Sequence, residues 1–440
     1  MKTKITLLLI TFSFFNFCFG QGIDNFVTTS QWNTMFPNRA GTTANHPQGY
    51  TTDFFSFANF KQALTDMSDY TMKIRKKEGV WGEHTTVTLK STNATYTITE
   101  PSTSWTNSIV TETIINVDFA DFLSRDSSVN NKRELAAFLA NISKETTGGW
   151  NPVGSAQSGD YAYWGLYFVH EVGVSPTSTA YSDSSNTEYP PVTGQSYYGR
   201  GPIQLSWNYN YGPVSKFLFN DKTVLLNDPN KVQEDGVLAF KTGIWFWMTP
   251  QWPKPSAHQV MHNLWQPAVN EYTMPKMYKK GFGHTNNIIN GGLECRSSSS
   301  AAFNVKPALR SGLYKYYLNI LGFSTTEIAN EDTGDYTTLC YESSTNAMEN
   351  YLSANVVLNT DNFDITAFKM YPNPVLNDLT LQYKNKIVKI EVFNSLGQMI
   401  KSVTPNKFKT VVKLSELPTA SYILKVSSNE GNSTFRIIKQ

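Results

Sequence analysis

The sequence predicts an α+β chain that is mainly helical over most of its length, carries a β-rich insertion, and ends in an all-β sandwich. Three observations carry this. Between Glu134 and Trp150, the residues Leu135, Phe138, Leu139 and Ile142 recur at the spacing of one helix face. Val87-Thr-Leu-Lys90 and Tyr96-Thr-Ile-Thr99 instead alternate β-branched or aromatic residues with polar ones, as short strands do. After residue 367 alternation becomes general, in Leu379-Thr-Leu-Gln-Tyr383, in 387–393, in Thr410-Val-Val-Lys-Leu414 and in Tyr422-Ile-Leu-Lys-Val426. Turn residues, including Ser395-Leu-Gly397 and Pro418, separate these runs, a spacing that suits a small antiparallel sandwich.

With 440 residues the chain has room for two or three domains, and 40% apolar residues suffice for a sizeable core. A net charge of +2 argues against a nucleic-acid partner recruited by bulk electrostatics. The 14% aromatic content suits stacking on sugar rings and an aromatic core equally well.

Residues 1–20 read as a secretory signal. Lys2 and Lys4 precede an apolar segment, and Cys18 and Gly20 take the small-residue positions for cleavage before Gln21. No later run of 18 apolar residues follows, so no membrane span is expected. Residues 68–125 read as an inserted β-rich lobe or long loop.

In the helix at 134–150, Lys132 and Arg133 form the opening and Gly148-Gly149 the stop, since glycine readily takes the conformations that end helices. Glu145 falls seven residues after Phe138, near the apolar face. A carboxyl there is partly desolvated, which disfavours its charged form and suits a general acid. A lone helix-end glutamate in water is the bland alternative, but Glu171 follows in Tyr163-Trp-Gly-Leu-Tyr-Phe-Val-His-Glu171 and supplies a second carboxylate.

Residues 154–160 and 174–196 are polar loops of the kind that shape a cleft. Residues 232–249 are helical in pattern, and their tryptophans read as core. His258 and His262 stand at i and i+4, able to present two metal ligands. Gln259 occupies the place of a zinc-protease glutamate and no third ligand is evident, so neither metal nor cofactor is expected. His46, His84, His170 and His284 form no readable triad. Residues 302–323 form an amphipathic helix ended by Gly322, residues 342–366 a polar linker, and residues 367–440 a self-contained β unit.

Three runs carry a specific resemblance: Glu145-Thr-Thr-Gly-Gly-Trp150, Tyr197-Tyr-Gly-Arg-Gly-Pro-Ile-Gln-Leu-Ser206 and Asn287-Ile-Ile-Asn-Gly-Gly-Leu-Glu-Cys295. In this order they resemble the family 19 glycoside hydrolases, the plant-type chitinases. Trp32-Asn-Thr-Met-Phe-Pro37, residues 50–64, residues 244–251 and Lys254-Pro-Ser256 add to the likeness, which spans about 30–340 apart from 68–125. It implies a lysozyme-like, mainly α-helical catalytic domain over 21–341. It also implies an exported endochitinase cleaving β-1,4-linked N-acetylglucosamine polymers by inversion.

In that scheme Glu145 is the acid, Glu171 the base, and Ser206 helps hold the attacking water. Gln204, Tyr209, Asn210, Lys254 and Asn290 match positions on the substrate side, and Glu294 and Arg310 match a carboxylate–arginine network beside them. Lys144 departs from the pattern, standing where many members have histidine. Adjacent helical side chains diverge, so it is expected to point away from Glu145. The same fold serves on peptidoglycan or chitosan, and a chitin-binding protein without turnover is a third reading.

Cys295 and Cys340 remain after the signal. In an exported protein one disulfide is the natural reading, with two buried thiols as the alternative. The resemblance implies that the two pair, and closing that span contributes about 4 kcal/mol. In the tail, Tyr371-Pro-Asn-Pro374, Ala420-Ser-Tyr422 and Arg436-Ile-Ile-Lys439 resemble the sorting domain of type IX secretion cargo, which implies that secretion machinery as a partner. A carbohydrate-binding module is the rival. Against it, the tail has no tryptophan, and Phe393, Tyr422 and Phe435 alternate as core residues do. A monomer, secreted or held at the cell surface, is expected.

Overall fold

The computed structural model describes residues 23–77, 80, 82–147, 162–251, 255–264, 281–294, 301–331, 367–394, 398–428 and 431–440. The signal segment, Gly148-Gly149, the 154–160 loop, Lys254, Cys295, Cys340, the 342–366 linker and the turn 395–397 lie outside the described residues. The chain divides into two compact units, residues 1–262 with 270–352 and residues 353–440 with 263–269.

In the first unit the helices that position the site are α1 (Thr29–Met35), α2 (Phe57–Met67), α3 (Ser128–Thr146), α4 (Asn208–Phe219), α5 (Gly236–Met248), α6 (Ala257–Met261), α7 (Phe282–Glu294) and α8 (Ala301–Ile320). Shorter helical turns lie between them. Helix α3 starts earlier than Lys132-Arg133 predicts. The Ser127 side chain accepts from Asn130 N and satisfies one of the first-turn donors that have no helical partner, so the helix opens at Ser128. Asp235 caps α5 in the same way, accepting from Val237 N and Leu238 N.

The apolar face of α3 meets an aromatic core. Trp32 of α1 stacks on Phe60 of α2 at 5.3 Å, and Phe60 lies parallel to Phe138 of α3 at 6.0 Å. Phe138 in turn takes Trp247 of α5 edge-on at 5.5 Å. Trp245 and Trp247 are buried, as a core role requires.

Residues 70–118 form a four-stranded antiparallel sheet, β1 (Tyr70–Lys77), β2 (His84–Leu89), β3 (Thr95–Thr99) and β4 (Glu112–Asp118), in the order β3-β2-β1-β4. The lobe is docked rather than loose. Tyr70 stacks on Phe217 at 4.8 Å, and its hydroxyl donates to the Leu218 carbonyl at 3.3 Å. Tyr96 donates to the Phe217 carbonyl. The insertion thus satisfies carbonyls in the last turn of α4 that a helix end leaves without partners.

The tail is a six-stranded sheet folded over its own core: β5 (Lys369–Tyr371), β6 (Asp378–Phe393), β7 (Met399–Val403), β8 (Lys407–Lys413), β9 (Ala420–Ser428) and β10 (Gly431–Lys439). The two runs at 379–383 and 387–393 are one strand, not two. Its first half pairs with β5 and β8, its second with β7 and β9. Leu379, Leu381, Tyr383 and Ile387 are buried at odd positions, then Ile390 and Val392 at even ones. The register shift between Ile387 and Lys389 accounts for the change of parity, because one extra residue turns the following side chains to the other face. Both halves therefore face the core shared with Val412, Leu414, Leu424, Val426 and Ile437. Tyr422 is buried in it, and Phe435 packs on Phe368 at 4.4 Å.

Candidate active site

Glu145 sits in the last turn of α3, and the next residue staples that turn to the segment ending in Glu171. Thr146 Oγ1 accepts from Leu166 N at 2.8 Å, and the Thr146 carbonyl accepts from Phe168 N at 2.9 Å. The other side of the segment is fixed to the turn at 199–205. Glu171 N donates to the Gly199 carbonyl at 2.8 Å and Gly201 N to the Val169 carbonyl at 2.7 Å. One short run of backbone therefore carries Glu171 between the end of α3 and the Tyr-Tyr-Gly-Arg-Gly-Pro-Ile-Gln-Leu-Ser turn. Room for this is tight, since a Cβ on Gly165 would stand 2.8 Å from Ser143 Oγ.

Arg310, fully buried on α8, holds Glu145. Its Nη2 donates to Glu145 Oε1 and to Glu294 Oε1 at 2.9 Å, its Nε to Glu294 Oε2 at 2.9 Å, and its Nη1 to Asn141 Oδ1 at 2.9 Å. Helix α7 kinks at Asn290 (φ −145°), and Asn290 Nδ2 donates to Glu294 Oε1 at 3.1 Å. Burial alone pushes the Glu294 carboxyl up. The Arg310 guanidinium outweighs it and, with Lys144 and Asn290, holds Glu294 below the usual carboxylate range. Lys144 contributes to this network through its charge on Glu294.

On the opposite side, Tyr181 donates to Glu171 Oε1 at 2.8 Å and Gly199 N to Oε2 at 3.3 Å. Gln204 and Asn210 brace backbone: Gln204 Nε2 donates to the carbonyls of Gly201 (2.9 Å) and Val169 (3.3 Å), and Asn210 Nδ2 to that of Ser206 at 2.8 Å. Ser206 is half-buried, and Tyr209 is exposed with its ring stacked on Trp207 at 5.4 Å.

A second ionisable cluster lies deeper. The structure brings Glu134 to His258 and His262, a third group that the histidine spacing alone does not reveal. The signal was Glu134's own position, one turn before Phe138 on the apolar stripe. His258 Nδ1 meets Glu134 Oε1 at 2.7 Å and His262 Nε2 meets Oε2 at 3.0 Å, while Trp247 Nε1 and Leu123 N each donate at 3.0 Å. Each histidine meets a different carboxylate oxygen, and Trp247 and Leu123 supply one N–H donor to each oxygen as well. The ligand atoms of the three groups lie within 4.8 Å of one another, close enough to hold a metal ion, so the third ligand missing from the sequence reading is Glu134.

The cluster makes stability pH-dependent. Burial pushes Glu134 up, but His258 and His262 override it and hold the carboxyl far below its usual range. Burial pushes His262 down, but Glu134 overrides it and the imidazole is raised above 6.5. A histidine raised on folding contributes stability that is full below its unfolded value of about 6.5 and is lost as pH climbs through its folded value. The matching Glu134 contribution is full above its unfolded value of about 4.3 and is lost as pH falls below it toward the folded one. Urea unfolding from pH 6 to 9 is expected to show the wild-type chain losing more stability than His262→Asn. Glu134→Gln, which breaks the buried pair, is expected to cost about 3–5 kcal/mol.

Comparisons with known proteins show which families the chain resembles. Residues 101–332 match the family model of class I chitinases, glycoside hydrolase family 19, and residues 369–440 match that of a secretion-system C-terminal sorting domain. The chain belongs to the family 19 chitinases. An endochitinase of Persea americana is 45% identical over 206 residues, 47% of this chain and 58% of that one. An endochitinase of Carica papaya is 45% identical over 207 residues, 47% of this chain and 78% of that one. Against the first relative, then, the chain spans little more than half of its partner's length. Among solved structures, the family 19 class IV chitinase of Zea mays aligns with a TM-score of 0.41 at 24% identity, covering 72% of this chain and 99% of that one. Chitinase C of Streptomyces griseus aligns with the same TM-score at 26% identity, covering 68% and 78%.

Proposed function

We propose that the chain is an exported endochitinase that hydrolyses β-1,4-linked N-acetylglucosamine polymers by direct displacement. The observation that carries this is the staple at Thr146, which ties a helix-end carboxyl, Glu145, and a loop carboxyl, Glu171, to one stretch of backbone in a family 19 chain. Cleaving a glycosidic bond needs a proton for the leaving oxygen and an activated water at the anomeric carbon, and two carboxyls supply both.

Glu145 donates the proton. Glu171, held at both oxygens, takes a proton from the water, and Ser206 helps to orient that water. Glu294 balances the charge of Arg310, so the guanidinium fixes Glu145 without leaving an unpaired buried cation. Tyr209, exposed beside this turn, meets the sugar chain, Gln204 and Asn210 brace the backbone around it, and Asn290 holds Glu294. By their match to the family motifs, Lys254 is assigned to the substrate side and Cys295 and Cys340 to a disulfide. Release of reducing sugar from colloidal chitin, compared with chitosan and with turbidity loss of bacterial cell walls, tests the substrate. Chitin is expected to be preferred, and a preference for cell walls would overturn the reading.

The tail serves export through type IX machinery. Its match to a sorting domain and its self-contained core support this. Among the described residues no helix is long and apolar enough to cross a membrane. A chain ending near residue 345 is expected to keep its specific activity on soluble chitin oligomers and to bind chitin particles as the full chain does. A drop in particle binding of more than about tenfold, roughly 1.4 kcal/mol, would make the tail a carbohydrate-binding module instead.

A further inference from the structure

Beyond the acid and base themselves, a side-chain contact to Glu171 comes from the 174–196 loop, which the sequence marks only as a polar loop of the kind that shapes a cleft. Tyr181 reaches Glu171 Oε1 from this loop at 2.8 Å. The loop is not free to carry it elsewhere. Asn208, fully buried at the start of α4, accepts from Asp183 N at 2.7 Å, and its Nδ2 donates to the carbonyls of Asp183 (3.0 Å) and Tyr189 (2.7 Å). Tyr189 is pressed against α4 so closely that a Cβ on Gly212 would stand 2.2 Å from its ring.

Tyr181 itself packs edge-on against Trp207, with centroids 5.5 Å apart at 77°. Trp207 adopts φ +74°, a backbone conformation that a bulky residue takes only when its surroundings hold it there. Those surroundings include its N–H donating to the Tyr197 carbonyl at 2.8 Å and the stacked ring of Tyr209.

We propose that Tyr181 is a positioning residue for Glu171: with the Gly199 N–H it fixes both carboxylate oxygens, and Trp207 is the wall that fixes Tyr181. A carboxylate held at one oxygen by an amide alone can turn about its last bond. Held at both, it keeps one lone pair aimed at the water it must deprotonate, and such pre-alignment is worth most in the transition state. Tyr181 donates throughout and transfers no proton. Burial and the Glu171 carboxylate push its phenol up to about 12, so it remains a donor across the working range. The inference rests on the reading of Glu171 as base.

The test uses the full chain with Tyr181→Phe, Trp207→Leu and Glu171→Gln, read on soluble chitin oligomers. Tyr181→Phe keeps the ring against Trp207 and deletes only the hydroxyl. Its kcat is expected to fall about 10–100-fold, the range for losing a hydrogen bond to a charged group, with KM within about twofold. Trp207→Leu keeps the hydroxyl and loosens its wall, so kcat falls in the same direction by less. If Tyr181→Phe does not fold, judged by its thermal transition, the Trp207→Leu split between kcat and KM decides. Wild-type kcat in Tyr181→Phe beside a dead Glu171→Gln overturns the proposal. So does a raised KM with unchanged kcat, which makes Tyr181 a substrate contact. Turnover surviving in Glu171→Gln instead overturns the reading of the base, a separate result.

Discussion

Glu145→Gln is expected to lower kcat by about 10²–10⁴-fold, the usual worth of a positioned proton donor, while binding of chitin oligomers stays within a few-fold. Glutamine keeps the shape of the side chain and can still accept from Arg310 through its carbonyl oxygen, so the network of Arg310, Glu294 and Asn141 has no reason to collapse. What it loses is the proton that the leaving oxygen needs. Because that proton moves only in the transition state, the loss belongs in kcat rather than in binding. Single-turnover hydrolysis and calorimetric binding, run on the same preparation, separate the two. A variant retaining half the wild-type kcat would remove Glu145 from the acid role.

Glu171→Gln is expected to lower kcat by a similar factor for the complementary reason. An amide cannot take a proton from water at neutral pH, although one of the two donors, Tyr181 or the Gly199 N–H, can still hold its single carbonyl oxygen. The two losses are not expected to add. Once either group is missing, the water attack and leaving-group protonation no longer occur together, and the double variant should resemble the weaker single one. Azide added to Glu171→Gln offers a small nucleophile that needs no deprotonation. Recovery of turnover with azide in this variant, and its absence in Glu145→Gln, would distinguish base from acid.

Much of the fold was legible because its signals are local. The stripe of Leu135, Phe138, Leu139 and Ile142 marks α3, and the alternation of Leu379, Leu381 and Tyr383 marks the tail strand, since burial on one face imposes the period of the element. Boundaries were less so: Ser127 caps α3 through a contact three residues along, which charge at Lys132-Arg133 obscures. The parity slip at Ile387 fuses two runs into one strand, because a bulge and a turn leave similar traces in a sequence.

At the site, the motifs expose Glu145, Glu171, Glu294 and Arg310, and the structure joins Glu145, Glu294 and Arg310. The side-chain partners of Glu134 are 113–128 residues distant, so no spacing rule could reach them. Tyr181 lies in a stretch of Ser, Thr, Pro and Asp whose composition says only loop. Gln204 and Asn210 carry the residue types of sugar contacts, and the structure adds that their amide nitrogens donate to backbone.

In the proposed mechanism water displaces the leaving group directly between two carboxyls. This requires them to stand about 6.5–9.5 Å apart and fixes the stereochemistry of the first product. Proton NMR of a chitin hexamer, followed from the first seconds of hydrolysis by the wild-type chain, reads that configuration before mutarotation scrambles it. The account predicts new reducing ends of α configuration. A β product would contradict it, since retention demands a covalent or substrate-assisted intermediate in place of the water held by Glu171.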